Sequence, residues 1–340
     1  MLAFAVLLLV VAFVVFFFWA SGGDSDSELV SPGDSFENVA ATAPAPGKVS
    51  SLTVVSFNIG YARGPAGDDS GPWDESIFRQ NLDAIAQQIA GAGADVAFLQ
   101  EVDLGASRSH DIDEARVLLE RLGWRYGTCV VTWEKNYVPF PYWPPSKHYG
   151  RMKSGQCVLS RFPIEASTRY RMPQPDENPW WRNKFYLNRA IDHVKLAING
   201  QSWDVFNVHL EAFDVANRMD HARFLVELVK RVAGASPRVV VAGDFNALPT
   251  GAAQRKGFID EPGADFSADL THDIVGQGLP QLREVMPDLG VFTFPADAPT
   301  RRLDYIWYGA ALALDEAKVL TAPPGPWSDH LPIMARWHLL

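Results

Sequence analysis

Gly243-Asp244-Phe245-Asn246, placed directly after Arg238-Val239-Val240-Val241-Ala242, is the stretch on which the reading of this chain turns. The β-branched apolar run has the composition of a buried strand. Side chains alternate along a strand, so Asp244 and Asn246, two residues apart, can face the same side. A carboxylate and an amide just beyond a buried strand are costly unless something pairs with them. Both offer oxygen, for which a hard cation or a phosphate-bound water is a natural partner. Asp and Asn are also ordinary turn residues, so the tetrapeptide takes its meaning from similar strand ends elsewhere in the chain.

Working outward, Leu52 to Asn58 reads as a strand ending at Asn58, and Asp95 to Glu101 as a buried strand ending in a carboxylate. Between them, Ile77, Leu82, Ile85, Ala86 and Ile89 give helical spacing over Trp73 to Ala90, stopped by Gly91 and Gly93. A shorter helix is expected over Ala115 to Leu122, then strands over Arg125 to Thr132 and Gln156 to Ser160. The intervening residues 133–150 are dense in Trp, Tyr, Phe and Pro and read as an irregular loop. Asn199-Gly200 between two alternating runs, Arg189 to Ala197 and Ser202 to Leu210, is a hairpin signal, because Asn-Gly supplies the positive φ angles of a type I′ turn. A helix over Asn217 to Ala233 and late strands at Leu303 to Tyr308 and Ile333 to Trp337 complete the pattern. Many antiparallel strands with interspersed helices imply an α+β protein of two packed sheets with helices outside. No regular βαβ repeat supports a doubly wound fold.

The ends of the chain set further bounds. Met1 to Ala20 carry no charged side chain, and a helix of that length spans about 30 Å, the hydrocarbon thickness of a bilayer. With no Lys or Arg before the run and with bulky Phe18 and Trp19 at its end, an uncleaved single-pass anchor is favoured over a cleaved signal. Asp24, Asp26 and Glu28 follow, and the body is expected on the extracytoplasmic side. Residues 21–49, rich in Ser, Gly, Asp, Ala and Pro, read as a flexible tether. Residues 50–340 read as one catalytic-sized domain without internal repeats. The formal net charge of −10 argues against long-range attraction to nucleic acid, though not against a local basic site. Cys129 and Cys157 are expected as two buried free thiols, with a disulfide as the alternative in an exported domain.

Six segments place polar groups at strand ends or beside them: Asn58, Glu101, His209, Asp244 with Asn246, Asp304, and Asp329 with His330. Each has a bland explanation as a cap, a turn, an ion pair or a hydrogen-bonded core histidine. Taken in order, Ser56-Phe57-Asn58, Leu99-Gln100-Glu101-Val102, Ser160-Arg161-Phe162-Pro163, Asn207-Val208-His209-Leu210, Gly243-Asp244-Phe245-Asn246, Arg302-Leu303-Asp304-Tyr305-Ile306 and Ser328-Asp329-His330-Leu331-Pro332 resemble the ordered motifs of the endonuclease/exonuclease/phosphatase superfamily. The resemblance runs from about residue 52 to 337, the whole body of the chain.

That resemblance implies a four-layer α/β/β/α sandwich with the site at one edge of the two sheets. It implies Mg2+-dependent phosphoester hydrolysis, with Mn2+ as a substitute metal. Carried over motif by motif, Glu101 would be the principal metal ligand, with Asn58 and Asp329 close to the ion or its waters. Asp244 and Asn246 would orient or deprotonate the attacking water. His330, held by Asp304, and His209 would contact the phosphoryl oxygens and assist proton transfer, the base and acid roles staying open among Asp244, His209 and His330. The chemistry agrees independently. Phosphoester hydrolysis needs charge neutralised on the nonbridging oxygens, an in-line water and help for the leaving group. Mg2+ takes oxygen ligands and keeps several waters, so one or two carboxylates and an amide suffice. A serine-hydrolase reading lacks its Gly-x-Ser-x-Gly turn.

Candidate substrate contacts are Arg189 on the hairpin and the cluster Lys147, His148, Arg151 and Lys153 beside the aromatic loop. Solvated surface charge is the competing reading for each. Trp133, Tyr137, Phe140, Tyr142, Trp143, Trp180 and Trp181 are aromatic enough to touch lipid headgroups or an apolar substrate, or to fold over their own domain. The expected partners are thus a phosphoester, nucleic acid or phospholipid, and a membrane through the N-terminal helix; no protein partner is expected. A catalytically silent, membrane-tethered binding module of the same fold is the alternative.

Overall fold

Two seven-stranded mixed sheets face each other in the computed structural model, which describes residues 1–23, 28–43, 46–65, 74–321 and 327–340. The first sheet runs in the order β1 (Val30–Pro32), β7 (Ile164–Arg171), β8 (Ala190–Ile198), β9 (Gln201–His209), β10 (Val239–Asp244), β12 (Asp304–Tyr308) and β11 (Arg283–Glu284). The second runs β13 (Leu312–Val319), β14 (Ile333–Leu339), β3 (Ser51–Asn58), β4 (Val96–Asp103), β6 (Gly150–Ser160), β5 (Tyr126–Val138) and β2 (Asp34–Glu37). Each sheet is antiparallel apart from one central parallel pair, β9 with β10 and β3 with β4. A parallel pair needs a crossover. Helix α2 (Glu75–Gly91) supplies it between β3 and β4, and α5 (Val215–Val232) between β9 and β10.

Three layers of apolar side chains hold this together. Between the sheets, Val54, Val96, Phe98 and Val158 of one meet Val194, Val205, Val240 and Ile306 of the other. On the outer face of the second sheet, α2 and α3 (Glu114–Leu122) bury Phe78, Leu82, Ile85, Leu118 and Leu119 against Val55, Phe57 and Leu99. On the outer face of the first, α5 and α6 (Thr271–Gly278) bury Leu225, Val229 and Val275 against Phe206, Val208 and Val241. This is the expected four-layer α/β/β/α sandwich. The β8–β9 turn has φ of 54° at Asn199 and 74° at Gly200, both positive as Asn-Gly allows.

Several expectations are corrected. Residues 21–49 do not form a free tether throughout: β1 pairs with β7 at the edge of one sheet and β2 with β5 at the edge of the other. Backbone pairing with a waiting edge requires little sequence signal, so polar composition concealed it. The aromatic loop is shorter than expected, because β5 continues to Val138; its irregular part is 139–149, with one short turn of helix at Pro145–Lys147. Cys129 and Cys157 are not free thiols. The antiparallel register of β5 and β6 sets them opposite each other, and their sulfurs are 2.03 Å apart in a disulfide. Strands β7 and β13 were hidden by polar, solvent-facing alternation. The proposed helix start at Trp73, and Asp24 and Asp26, lie outside the described residues.

Helix α1 (Leu2–Ala20) is long and apolar enough to cross a membrane. Its end does not hang free. Phe16 meets Tyr137 and Phe17 meets Phe185 ring to edge, the Asn136 side-chain amide donates to the carbonyl of Trp19 at 2.9 Å, and the Asn136 backbone N–H donates to Gly22.

Candidate active site

The last residues of both parallel strand pairs point toward one edge of the sandwich, so Asn58, Glu101, His209 and Asp244 arrive there from four strands. Asp244 ends β10. Its neighbour Gly243 has φ of 149° and pairs with Val208 so closely that a Cβ would lie 1.9 Å from the Val208 carbonyl oxygen. Only glycine permits that approach, which explains the residue preceding the aspartate. Asp304 faces Asp244 across the β10–β12 pair, and Asp329 and His330 come from the segment leading into β14.

Hydrogen bonds fix this cluster. Asp244 accepts from the Asn246 backbone N–H at 2.8 Å and from the Asn58 side-chain amide at 3.0 Å. The Asn58 amide oxygen accepts from the Gly60 N–H at 3.1 Å, so Asn58 ties the second sheet to the first. His330 Nδ1 donates to Asp304 at 2.9 Å, and His330 Nε2 lies 3.6 Å from Asp244. Burial alone would lower the His330 imidazolium, but the carboxylates of Asp304 and Asp244 outweigh it and hold its pKa well above the ordinary value. Burial pushes the Asp244 carboxyl up to about 7 against the opposing charge of His330. His209 is the counterpart. Burial, then the neighbouring Arg189 guanidinium, pull its pKa well below the ordinary value, and Arg189 donates to its Nε2 at 2.7 Å. The neutral ring therefore carries its proton on Nδ1.

Glu101 sits in a β-bulge of β4, with φ of 53°. Extra residues at a bulge re-aim side chains, and here the bulge turns Glu101 into the cavity, 3.8 Å from His209. Burial, then nearby Asp329, raise its carboxyl pKa; Arg189 and His330 oppose. Beneath these groups runs a polar bridge between the sheets that sequence reasoning missed. Asn207 donates to the carbonyls of Leu99 and Cys157 and accepts from Gln100 at 2.7 Å, while Gln156 donates to the carbonyls of Asn207 and Ala190. In sequence, Asn207 and Gln100 are single polar residues in apolar strands, with no periodicity to single them out.

Glu101, Arg189, His209, Asp244, Asn246, Asp329 and His330 line one cavity of about 700 Å3, with Asn58 and Asp304 buried behind them. Tyr61, Arg63 and Arg108, also missed in the sequence, share the polar floor. Arg108 makes paired bonds to Asp103 at 2.9 and 3.0 Å and lies 3.7 Å from the Tyr61 ring centroid. The lining also carries an aromatic group: Trp133, Phe140, Tyr142, Trp181, Phe185 and Phe213. Two proposed substrate contacts are elsewhere. His148 bonds the Tyr137 hydroxyl at 2.6 Å, Arg151 bonds Asp111 at 2.7 Å, and neither lines the cavity. Arg151 is ion-paired with Asp111, and His148 is held by a neutral hydroxyl.

Donor chemistry at the floor suits a hard cation. Asp244 and Asp304 offer carboxylate oxygens within 4.8 Å of each other, Asp304 Oδ1 is buried without a hydrogen-bond partner, and Glu101 and Asp329 add carboxylate oxygens close by.

Comparison with known proteins agrees with this arrangement. Residues 55–330 match the family model described as Endonuclease/Exonuclease/phosphatase family. A candidate neutral sphingomyelinase of Drosophila melanogaster is 26% identical over a 196-residue alignment that covers 52% of this chain and 37% of the fly protein. The fold is similar to that of an endonuclease/exonuclease/phosphatase from Beutenbergia cavernae, with TM-score 0.58, 22% identity, and coverage of 86% of this chain and 72% of that one. It is similar to the catalytic domain of human Nocturnin, with TM-score 0.59, 20% identity, and coverage of 91% and 98%. A mannosyl-6-phosphatase from Bacteroides thetaiotaomicron gives TM-score 0.57 at 17% identity, covering 84% and 98%. On the match of its whole body to the family model, this chain belongs to the endonuclease/exonuclease/phosphatase family.

Proposed function

We propose that this protein is a Mg2+-dependent phosphodiesterase that hydrolyses the headgroup phosphoester of a membrane lipid. The observation that carries the catalytic part is the convergence of Glu101, Asp329, Asp244, His330, His209 and Arg189 on one cavity from both sheets. Glu101 and Asp329 would hold the divalent ion, since burial and the adjacent Asp329 carboxylate raise the pKa of partly buried Glu101, and a hard cation offsets both. When bound, the ion supplies charge neutralisation at the phosphoryl group.

The chain's own groups do the rest. Asp244, held by Asn58 and Asn246, takes the proton of the attacking water. His330, kept cationic by Asp304, faces the developing negative charge. Neutral His209 accepts from Arg189 and so orients that guanidinium toward a phosphoryl oxygen. A lipid substrate is supported by the aromatic group in the cavity lining, by Phe17 of the apolar helix lining the same cavity, and by the net charge of −10. The limited likeness to the fly protein points the same way.

Full-length protein in detergent should hydrolyse a short-chain phosphodiester with Mg2+ and stop with chelator. Asp244→Asn should lower turnover by about 1,000-fold. A rate indifferent to chelator and to Asp244→Asn would refute the catalytic reading. Cleavage of plasmid DNA with no turnover of phospholipid vesicles would refute the lipid assignment alone.

A further inference from the structure

Resting on the membrane-tethered reading above, we propose that the aromatic mouth of the cavity is a second membrane-docking surface, which seats the domain on the bilayer with the cavity facing the headgroups. Three observations place it. Helix α1 ends at the cavity itself: Phe17, three residues before its end, lines the cavity and meets Trp180 and Phe185 at ring distances of 5.9 and 5.3 Å. The connection is short, since Gly22 and Asn136 are hydrogen-bonded and β1 is already part of the first sheet at Val30. The domain therefore has little freedom to swing away from the plane the helix crosses.

The third observation is exposure. Tyr142 and Trp143 are each 80% exposed, Trp180 64% and Phe213 73%, around the opening where the helix arrives. Large exposed aromatics grouped at one rim mark an interaction surface, and Tyr and Trp are the side chains that settle at the headgroup level of a bilayer. A lipid surface is the occupant that fits, because an apolar helix long enough to cross a bilayer ends on the same rim. A headgroup would then reach the polar floor while its chains stay beside the aromatic side chains.

Position-specific fluorescence tests this without any turnover. Cys129 and Cys157 are locked in their disulfide, so Trp143→Cys in the full-length chain accepts a single environment-sensitive label. Gln201→Cys is the control; it begins β9, eight residues from His209 at the cavity end, roughly 26 Å away. In phosphatidylcholine vesicles the label at 143 should shift to the blue and be quenched by nitroxide-headgroup lipid, and the label at 201 should not. Equal aqueous quenching of both labels would overturn the docking surface.

A second arm uses Trp143→Ala with Trp180→Ala, neither of which lines the cavity. Turnover of vesicle lipid should fall about a hundredfold, the cost of two lost aromatic insertions at about 1.5 kcal/mol each, while turnover of a monomeric phosphodiester holds. Unchanged rates on vesicles would also overturn the proposal. Failure of the catalytic reading appears separately, as wild-type protein inert toward both substrates while the labels still report docking.

Discussion

Asp244 on the floor of the cavity is 1% exposed and held by Asn58 and Asn246, whereas Trp143 at the mouth stands 80% exposed on the loop between β5 and β6. The floor is assembled from strand ends of both sheets, so each group's position is set by backbone ladders and cross-sheet hydrogen bonds. The mouth is assembled from connections and from the end of α1, where packing is looser and length can vary. Chemistry thus sits where the fold permits little movement, and contact with the substrate's surroundings sits where the fold permits change. A common reaction can be kept while the choice of phosphoester is altered.

The strongest way to break that contrast is through the bridge beneath the floor. Asn207→Leu strands the carbonyls of Leu99 and Cys157 and the Gln100 amide, which it now satisfies. At about 1–3 kcal/mol for each of these three groups, the loss should be roughly 3–9 kcal/mol. Misplacing Glu101 and His209 by about 1 Å should also cost around 100-fold in turnover. Denaturant midpoint and rate on a soluble phosphodiester check both; an unchanged rate would mean that the floor is not positioned by this bridge.

A smaller effect should follow from Cys129→Ala with Cys157→Ala. The disulfide closes a separation of 28 residues that includes the mouth loop, so its removal should cost about 3 kcal/mol. Hydrogen exchange should then rise in residues 139–149 while β10 stays protected. Uniform loosening of both would show that floor and mouth share one stability.

A control outside both regions changes a slope with pH rather than a midpoint at one pH. Burial pushes the Asp192 carboxyl up to about 8 from the 3.8 of an unperturbed aspartate, with Ser167 donating to it at 2.9 Å. Below the lower value both folded and unfolded chains hold the proton. Between the two values only the folded chain holds it, so its contribution falls as pH rises, by at most about 1.4 kcal/mol per unit, and levels above 8. Asp192→Asn should flatten this part of the stability profile between pH 5 and 8. An unaltered slope would show that Asp192 is ionised in the fold.

Legibility from sequence divides along the same line. Val239 to Asp244, Asn199-Gly200 and the spacing of Ile77, Leu82, Ile85 and Ile89 each announce an element because local pattern and tertiary burial agree. Groups at the ends of those elements were legible too, as polar residues where an apolar run stops. Asn207 and Gln100 were not, since their partners lie on the other sheet or across a strand and leave no mark on neighbouring residues. Nor could the sequence show that His148 bonds Tyr137 and Arg151 bonds Asp111, pairings that only the folded chain brings together. The disulfide required a register that composition does not give.

The two short strands at residues 30–37 lace one edge of each layer, like a strap passed through both halves of a clasp. A protein trimmed to begin at residue 50 would lose that strap. Two bare borders of N–H and C=O groups would then invite foreign chains to add themselves, so clumping of such a fragment would follow from where it was cut.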